Sequence, residues 1–285
     1  MVHALVRPAE FADHEQLSDL LYSETRLHRH LDWRPPLDWL GNRFFWTLKE
    51  EGQITAALAS PVEVPGVAWV RLFVYAGRWT ADQAWNLLWG IAREEMRNTQ
   101  RTVVAAIAMQ PWFQNLLAAS GFQSRQQIVM LEWQGKAPAA HEASGVRIRR
   151  MESSDLPEVE KVDASSFDPL WRNSGETLRR ALAQAWLATV AEDEEGRLVG
   201  YQISTTGALR VHLARLAVHS SAQRRGIGKA LLSHLFGRLA AHGIFRLTVN
   251  TQSDNEASLH LYHRMGFVRT GEAYPVYTFD LPATS

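Results

Sequence analysis

The chain has 285 residues, 30 basic and 30 acidic side chains for a formal net charge of zero, a pI near 7.2 and a 46% hydrophobic share. That is enough apolar material for one large domain or two of ordinary size, and the charge balance provides no bulk attraction to nucleic acid or an anionic membrane. The absence of cysteine removes disulfides, thiolate metal sites and a cysteine nucleophile together.

The N-terminal residues lack the apolar stretch of a signal peptide, and no 18-residue apolar run occurs, so a cytoplasmic protein is expected. The 11 histidines are scattered without metal-ligand spacing, and no metal is expected. Leu5 to Pro8 predicts a first strand, and Asp13 to Tyr22 an amphipathic helix. Arg26 to Trp33 is polar and predicts a loop, either solvated or reaching a binding cleft. Val70 to Val74 predicts a strand, and Trp85 to Ile91 a helix. A second helix runs from Pro111 into Gly121-Phe122, followed by an apolar strand from Ile128 to Trp133. Residues 134–145 are small, polar and unpatterned, and predict a linker between domains at 1–133 and 146–285.

The same order then repeats. Val146 to Arg150 predicts a strand and Ser154 to Val162 a helix. A strand at Leu213 to Val218 precedes a loop, Gln223-Arg224-Arg225-Gly226-Ile227-Gly228-Lys229, and a helix over Ala230 to Leu239. A strand over Ile244 to Asn250, a helix from Ala257 into Gly266-Phe267 and a strand over Pro275 to Leu281 complete the half. Matching long-range order in the two halves indicates a duplicated domain of α/β (α+β) class. Nine of the 11 tryptophans lie in the first half; Trp85 and Trp89, four residues apart, line either a core or a face toward the other half.

The loop at Gln223 to Lys229 joins a strand to a helix start. The first N–H groups of a helix have no internal partner, and its dipole is positive there, so such a loop can cradle phosphate. Gly226 and Gly228 allow close backbone approach, and Arg224, Arg225 and Lys229 add positive charge. On the loop alone, a pyrophosphate site and a tight turn with solvated basic residues both stay open. Aligning the halves on Val74 and Val218 puts Asp82 at the Gly226 position, so only the second half is expected to hold an anion.

Gln223-x-x-Gly226-x-Gly228 and the later run Asn255-Glu-Ala-Ser258-Leu-His-Leu-Tyr262-His-Arg-Met-Gly266-Phe267 together resemble the two signatures of the GNAT superfamily of acyl-CoA N-acetyltransferases. The resemblance covers Val146 to Leu281 and extends to ribosomal-protein alanine N-acetyltransferases. The first half resembles a degenerate copy lacking the cofactor loop. The resemblance implies two tandem folds, each a mixed, mostly antiparallel sheet flanked by helices. It implies one acetyl-CoA per chain. Backbone groups of Leu216, Ala217 and Val218 would pair with the pantetheine arm. Amides from Gln223 through Arg224, Arg225, Gly226, Ile227, Gly228 and Lys229 would hold the pyrophosphate. Asn255 and Ser258 would contact the cofactor, and Tyr262 would protonate the departing thiolate. From the residues alone, Tyr262 reads first as a core aromatic on a helix face with Leu259, Leu261 and Met265.

The proton acceptor for the amine is not evident. Many relatives place a glutamate where this chain has Asn250, and Arg215 occupies the central strand. His212, His219, Asp168, Glu272 or a water at Asn250 are the alternatives. Acceptor contacts are expected from Trp171, Asn250, Glu272 and Tyr274. A protein N-terminus and a small amine both fit as acceptors; two-domain mycothiol synthases share the layout. The expected function is acetyl transfer to a primary amine by direct attack in a ternary complex, by a monomer or homodimer without nucleic-acid or membrane partners. The alternative is a non-catalytic acetyl-CoA sensor or partner module.

Overall fold

The computed structural model describes residues 4–23, 26–30, 32–99, 102–135, 145–207 and 210–282. Most of the expected linker, residues 136–144, lies outside them. In chain order the first elements are β1 (Ala4–Pro8), α1 (His14–Ser23), β2 (Leu27–Arg29), β3 (Phe45–Glu50), β4 (Gln53–Ala59), β5 (Val62–Val64), β6 (Val67–Trp69) and β7 (Leu72–Tyr75). They are followed by α2 (Ala81–Arg97), β8 (Thr102–Ile107), α3 (Pro111–Ala119) and β9 (Gln123–Gln134). The second half contains β10 (Val146–Arg150), α4 (Leu156–Ser166), α5 (Gly175–Ala183), β11 (Leu187–Asp193), β12 (Leu198–Gly207), β13 (Arg210–Val218), α6 (Ile227–Ala241), β14 (Arg246–Gln252), α7 (Glu256–Arg264) and β15 (Val268–Leu281).

The chain divides into two compact units, Met1–Arg125 with Pro275–Ser285, and Gln126–Tyr274. In the first unit β1, β3, β4, β7 and β2 form an antiparallel sheet in that order. β8 pairs in parallel with β6 and antiparallel with Val276–Leu281 of β15. In the second unit the order runs β10-β11-β12-β13-β14-β9, and only the β13–β14 pair is parallel. The last strand of each half therefore pairs with the penultimate strand of the other half.

The duplication is visible in side chains as well as strands. Arg7 clamps Asp13 through two bonds of 2.8 and 2.6 Å, and Asp13 accepts the Glu10 N–H at 2.9 Å. Arg149 clamps Asp155 at 2.8 Å twice, and Asp155 accepts the Glu152 N–H at 2.8 Å. Both units thus lock the first strand to the first helix by one bidentate Arg–carboxylate pair.

Trp85 and Trp89 stack at 5.6 Å and are buried at 0% and 4% exposure. Phe73, Phe113, Phe122 and Phe279 of the same unit surround them, so this face is core. Phe236, Phe267 and Trp133 fill the second unit's core beneath α6. The loop expected over Arg26 to Trp33 contains strand β2 instead. His28 is buried, bonded to the Val70 carbonyl at 3.1 Å and stacked on Phe113 at 4.0 Å. A polar residue can sit inside because its ring nitrogen finds a partner. Among the described residues no helix is long and apolar enough to cross a membrane.

Candidate active site

The site begins where two strands part. β13 and β14 pair only over Val211–Leu213 and Leu247–Val249. Opposite β12, Ile203 faces Arg215 while Ser204 faces Leu213, so Ala214 is an extra, bulged residue. Beyond it Leu216, Ala217 and Val218 keep β12 on one side and, among the described residues, have no strand partner on the other. That leaves an open edge able to pair with an extended, amide-bearing ligand. In the first unit the corresponding edge is covered: Leu27, His28 and Arg29 of β2 pair with Val74, Phe73 and Leu72.

The chain then turns into α6 through two left-handed residues, Arg224 at φ 62° and Gly226 at φ 81°. Gly226 is the N-cap and supplies no side chain. The first helical bond runs from the Ala230 N–H to the Gly226 carbonyl at 3.0 Å. Among the described residues, the N–H groups from Arg224 to Lys229 have no protein acceptor. The Val218 carbonyl ties the turn down by accepting from Gln223 Nε2 at 3.2 Å and Ser166 Oγ at 2.9 Å. α2 starts differently. Thr80 caps it, with Thr80 Oγ1 accepting from the Gln83 N–H and Gln83 Oε1 from the Thr80 N–H. Matching the helices at their caps pairs Thr80 with Gly226 and Asp82 with Gly228, two residues from the register inferred from spacing. The first unit's helix start is self-satisfied and carries an acid in its first turn; the second unit's is open.

A cleft of about 980 Å³ lies over this loop in the second unit. Leu216, Ala217, Val218, Gln223, Arg224, Gly226, Ile227, Gly228, Lys229, Asn255 and Ser258 line it; Arg225 does not. A Cβ on Gly228 would stand 3.2 Å from Leu261 Cδ2, so glycine lets α6 approach α7 closely. Asn255 caps α7, its Oδ1 accepting the Ser258 N–H at 3.1 Å, while its Nδ2 donates to Gln252 at 3.3 Å.

A smaller cavity of about 100 Å³ adjoins the cleft. Phe167, Leu216, Asn255 and Ser258 line both. Tyr262, Trp171, Asn250, Arg215, Gln252 and Ile128 are among its other walls. Tyr262 is 5% exposed, and burial raises its phenol above its ordinary range, opposed by the Arg215 charge. The phenol is therefore protonated at neutral pH. No Asp or Glu among the described residues lines this cavity.

The cavity wall rests on a buried network. Asp163, on α4, accepts from Arg215 Nε at 2.8 Å and Nη2 at 2.6 Å, from the Tyr201 hydroxyl at 2.5 Å and from the Asn173 N–H at 2.9 Å. Arg215 Nη2 also donates to the Trp171 carbonyl at 2.7 Å, and the guanidinium lies 3.5 Å from the Phe167 ring centroid. Burial of Tyr201 beside Asp163 pushes its phenol well up. The pair thus pins Phe167 and Trp171 to β13. Sequence reading missed Tyr201 and Ile128 as site components, and placed Asp163 and Phe167 only within an acceptor segment running from Asp163 to Ser174, without roles of their own. A signal existed for one: Asp163 follows Val162 on the apolar face of α4, where an acid needs a buried partner.

The other expected residues lie apart from both cavities. Asp168 is exposed and caps a turn at Leu170. His219 Nδ1 accepts the Ser221 N–H at 3.3 Å. Glu272 is exposed and accepts from the Tyr274 hydroxyl at 3.3 Å. His212 bonds Thr248 Oγ1 at 2.9 Å through Nδ1 and Asn250 Oδ1 at 3.2 Å through Nε2.

Residues 148–267, which contain every element of this site except Ile128, match the Acetyltransferase (GNAT) family. The chain carries a GNAT acetyltransferase domain. Over 120 residues it is 27% identical to the [Ribosomal protein bS18]-alanine N-acetyltransferase of Escherichia coli, covering 42% of this chain and 79% of that one. Over 179 residues it is 31% identical to the mycothiol acetyltransferase of Gordonia bronchialis, covering 56% and 57%. A solved tandem GNAT protein from the clavulanic acid biosynthesis pathway superimposes over 100% of both chains with a TM-score of 0.63 at 18% identity. The whole chain thus has a tandem GNAT fold. GNAT enzymes use acetyl-CoA, and the open GNAT helix start here suits its pyrophosphate: six adjacent amides from Arg224 to Lys229 lack a protein acceptor beside the charges of Arg224 and Lys229.

Proposed function

We propose that this acetyltransferase moves an acetyl group from acetyl-CoA to a primary amine by direct attack within a ternary complex in its second unit. The observation that carries the reading is the continuity of three features: an unfilled helix start, an unpaired β13 edge and a cavity walled by a protonated, buried tyrosine. Acetyl-CoA supplies the acetyl thioester. The Arg224–Lys229 amides and Lys229 would hold its pyrophosphate, and the Leu216–Val218 edge its amide arm. Tyr262 would give its proton to the departing sulfur, as its raised phenol allows. One cofactor per chain is expected, because β2 and the Thr80 capping box fill the equivalent positions of the first unit.

With no carboxylate among the described residues lining the small cavity, the acceptor has to bring most of its own nucleophilicity. At pH 7.5 about a quarter to two fifths of an α-amino group is neutral, against about one lysine side chain in a thousand. We therefore assign the acceptor as an α-amino group, on a peptide N-terminus or a small aminoacyl compound. The alanine acceptor of the E. coli relative is of this kind. A cytoplasmic location accords with such acceptors.

Thiol release from acetyl-CoA in the presence of peptide or aminoacyl acceptors tests the reading. Tyr262→Phe should lower kcat by about 10²–10⁴-fold while acetyl-CoA affinity holds within a few fold. An unchanged kcat removes Tyr262 from the proton transfer. The missing carboxylate also favours a second reading, an acetyl-CoA sensor; tight binding without transfer to any acceptor would select it.

A further inference from the structure

We infer that Asn250 selects the acceptor, and that His212 and Thr248 set the direction of its amide. This rests on the acetyltransferase reading and concerns the side opposite the cofactor. Thr248 and Asn250 are two residues apart on β14 and share a face, and His212 stands opposite Thr248 in the parallel register. His212 Nδ1 lies 2.9 Å from Thr248 Oγ1, and Nε2 lies 3.2 Å from Asn250 Oδ1. An amide oxygen only accepts, so Nε2 carries a proton and donates it. In the neutral ring Nδ1 then accepts the Thr248 hydroxyl proton. The chain of bonds has one direction, and it turns Asn250 Oδ1 toward His212. Asn250 also carries an Nδ2 group, a pair of donors without a protein acceptor among the described residues, and it lines the cavity with Tyr262 and Trp171.

A donor pair cannot take a proton from an ammonium and repels one. It matches an oxygen acceptor close to the reacting nitrogen. Among the described residues no Asp or Glu lines the cavity to recognise a cation. The matching acceptor is an α-aminoacyl amide or ester, whose carbonyl oxygen stands beside a neutral amine. A lysine side chain or a polyamine lacks that oxygen. Asn250 is thus a specificity-determining residue, and His212 a positioning residue acting through it.

The test compares L-alaninamide with isopropylamine, in which a methyl replaces the carboxamide, by thiol release from acetyl-CoA. The ratio of kcat/KM values is read for the wild type, Asn250→Asp, His212→Leu and His212→Gln, each with its Tm. The wild type should prefer alaninamide. Asn250→Asp keeps the acceptor of the His212 bond and replaces the donors by a carboxylate oxygen. It should cut the ratio by about 10–100-fold, mainly through the KM for alaninamide. His212→Leu should cut the ratio by about tenfold, and His212→Gln, which still has an N–H to donate, should restore part of it. Ring ¹⁵N shifts of His212 should show the Nε2-protonated tautomer at neutral pH. A ratio unchanged within twofold in Asn250→Asp, equal use of both amines by the wild type, or an Nδ1-protonated ring overturns the inference and leaves the acetyltransferase reading standing. Bound acetyl-CoA with thiol release from neither amine overturns both.

Discussion

Asp163→Asn probes the floor of the site. The side chain keeps its shape and loses its charge. Asp163 is fully buried, and Arg215, 13% exposed, donates to it twice, at 2.8 and 2.6 Å. Tyr201 and the Asn173 N–H add bonds of 2.5 and 2.9 Å. Removing one partner of such a pair leaves a buried charge uncompensated, which costs about 3–5 kcal/mol. An asparagine oxygen still accepts some of these bonds, so the lower end, about 3 kcal/mol, is expected. For a unit the size of Gln126–Tyr274 that corresponds to a Tm fall of roughly 6–12 °C. Phe167 and Trp171 are held by Arg215, so the KM for the acceptor should rise more than the dissociation constant of acetyl-CoA. Urea unfolding and thermal melts measure the first effect and steady-state kinetics the second. The double variant Asp163→Asn with Arg215→Met removes both charges and should recover most of the stability. A single variant within about 0.5 kcal/mol of the wild type, well below that penalty, or a double variant no more stable than the single, would refute the reasoning.

Other expectations concern the first unit and the cofactor turn. Burial lowers His28 from 6.5 to about 4, so the unfolded chain binds a proton more readily than the folded one. Stability on this account is complete above pH 6.5 and falls as pH drops toward 4, by about 3 kcal/mol in all. Urea midpoints against pH should show this slope, and His28→Phe, which keeps a ring against Phe113, should flatten it. Gly226→Ala places a side chain at φ 81°, costing about 1–2 kcal/mol of stability. Acetyl-CoA affinity should fall with it, since the turn presents the amides; calorimetry showing wild-type affinity and Tm would mean the turn does not depend on that conformation.

The turn into α6 was legible because it is local. Strand, glycine turn and helix start lie within Leu216 to Lys229, and the turn chemistry is written in Gly226 and Gly228. The small cavity was not, because its wall joins Ile128, Phe167, Trp171, Arg215, Asn250 and Tyr262 from distant segments. The duplicated order was also readable, from the two Gly-Phe helix ends and their following strands. The exchange of those last strands was not. Apolar residues such as Val129, Leu131 and Trp133 announce a buried strand without naming its partner, and the Arg246–Glu132 ion pair that accompanies the pairing spans 114 residues. β2 escaped notice because three residues carry little periodicity, and its His28 is satisfied by a carbonyl that no local pattern reveals. The two-residue shift between Asp82 and Gly226 arose because counting from a strand cannot see where a helix is capped.

Calorimetric titration of acetyl-CoA into the intact chain tests the central claim most directly. The open start of α6 beside the unpaired Leu216–Val218 edge, against the capped α2 and β2-covered edge of the first unit, predicts one molecule bound per chain. Lys229→Glu, which sets a negative charge at the turn, should weaken binding at least about tenfold, the equivalent of about 1.4 kcal/mol. Two molecules per chain, no binding, or full affinity in Lys229→Glu would contradict the account.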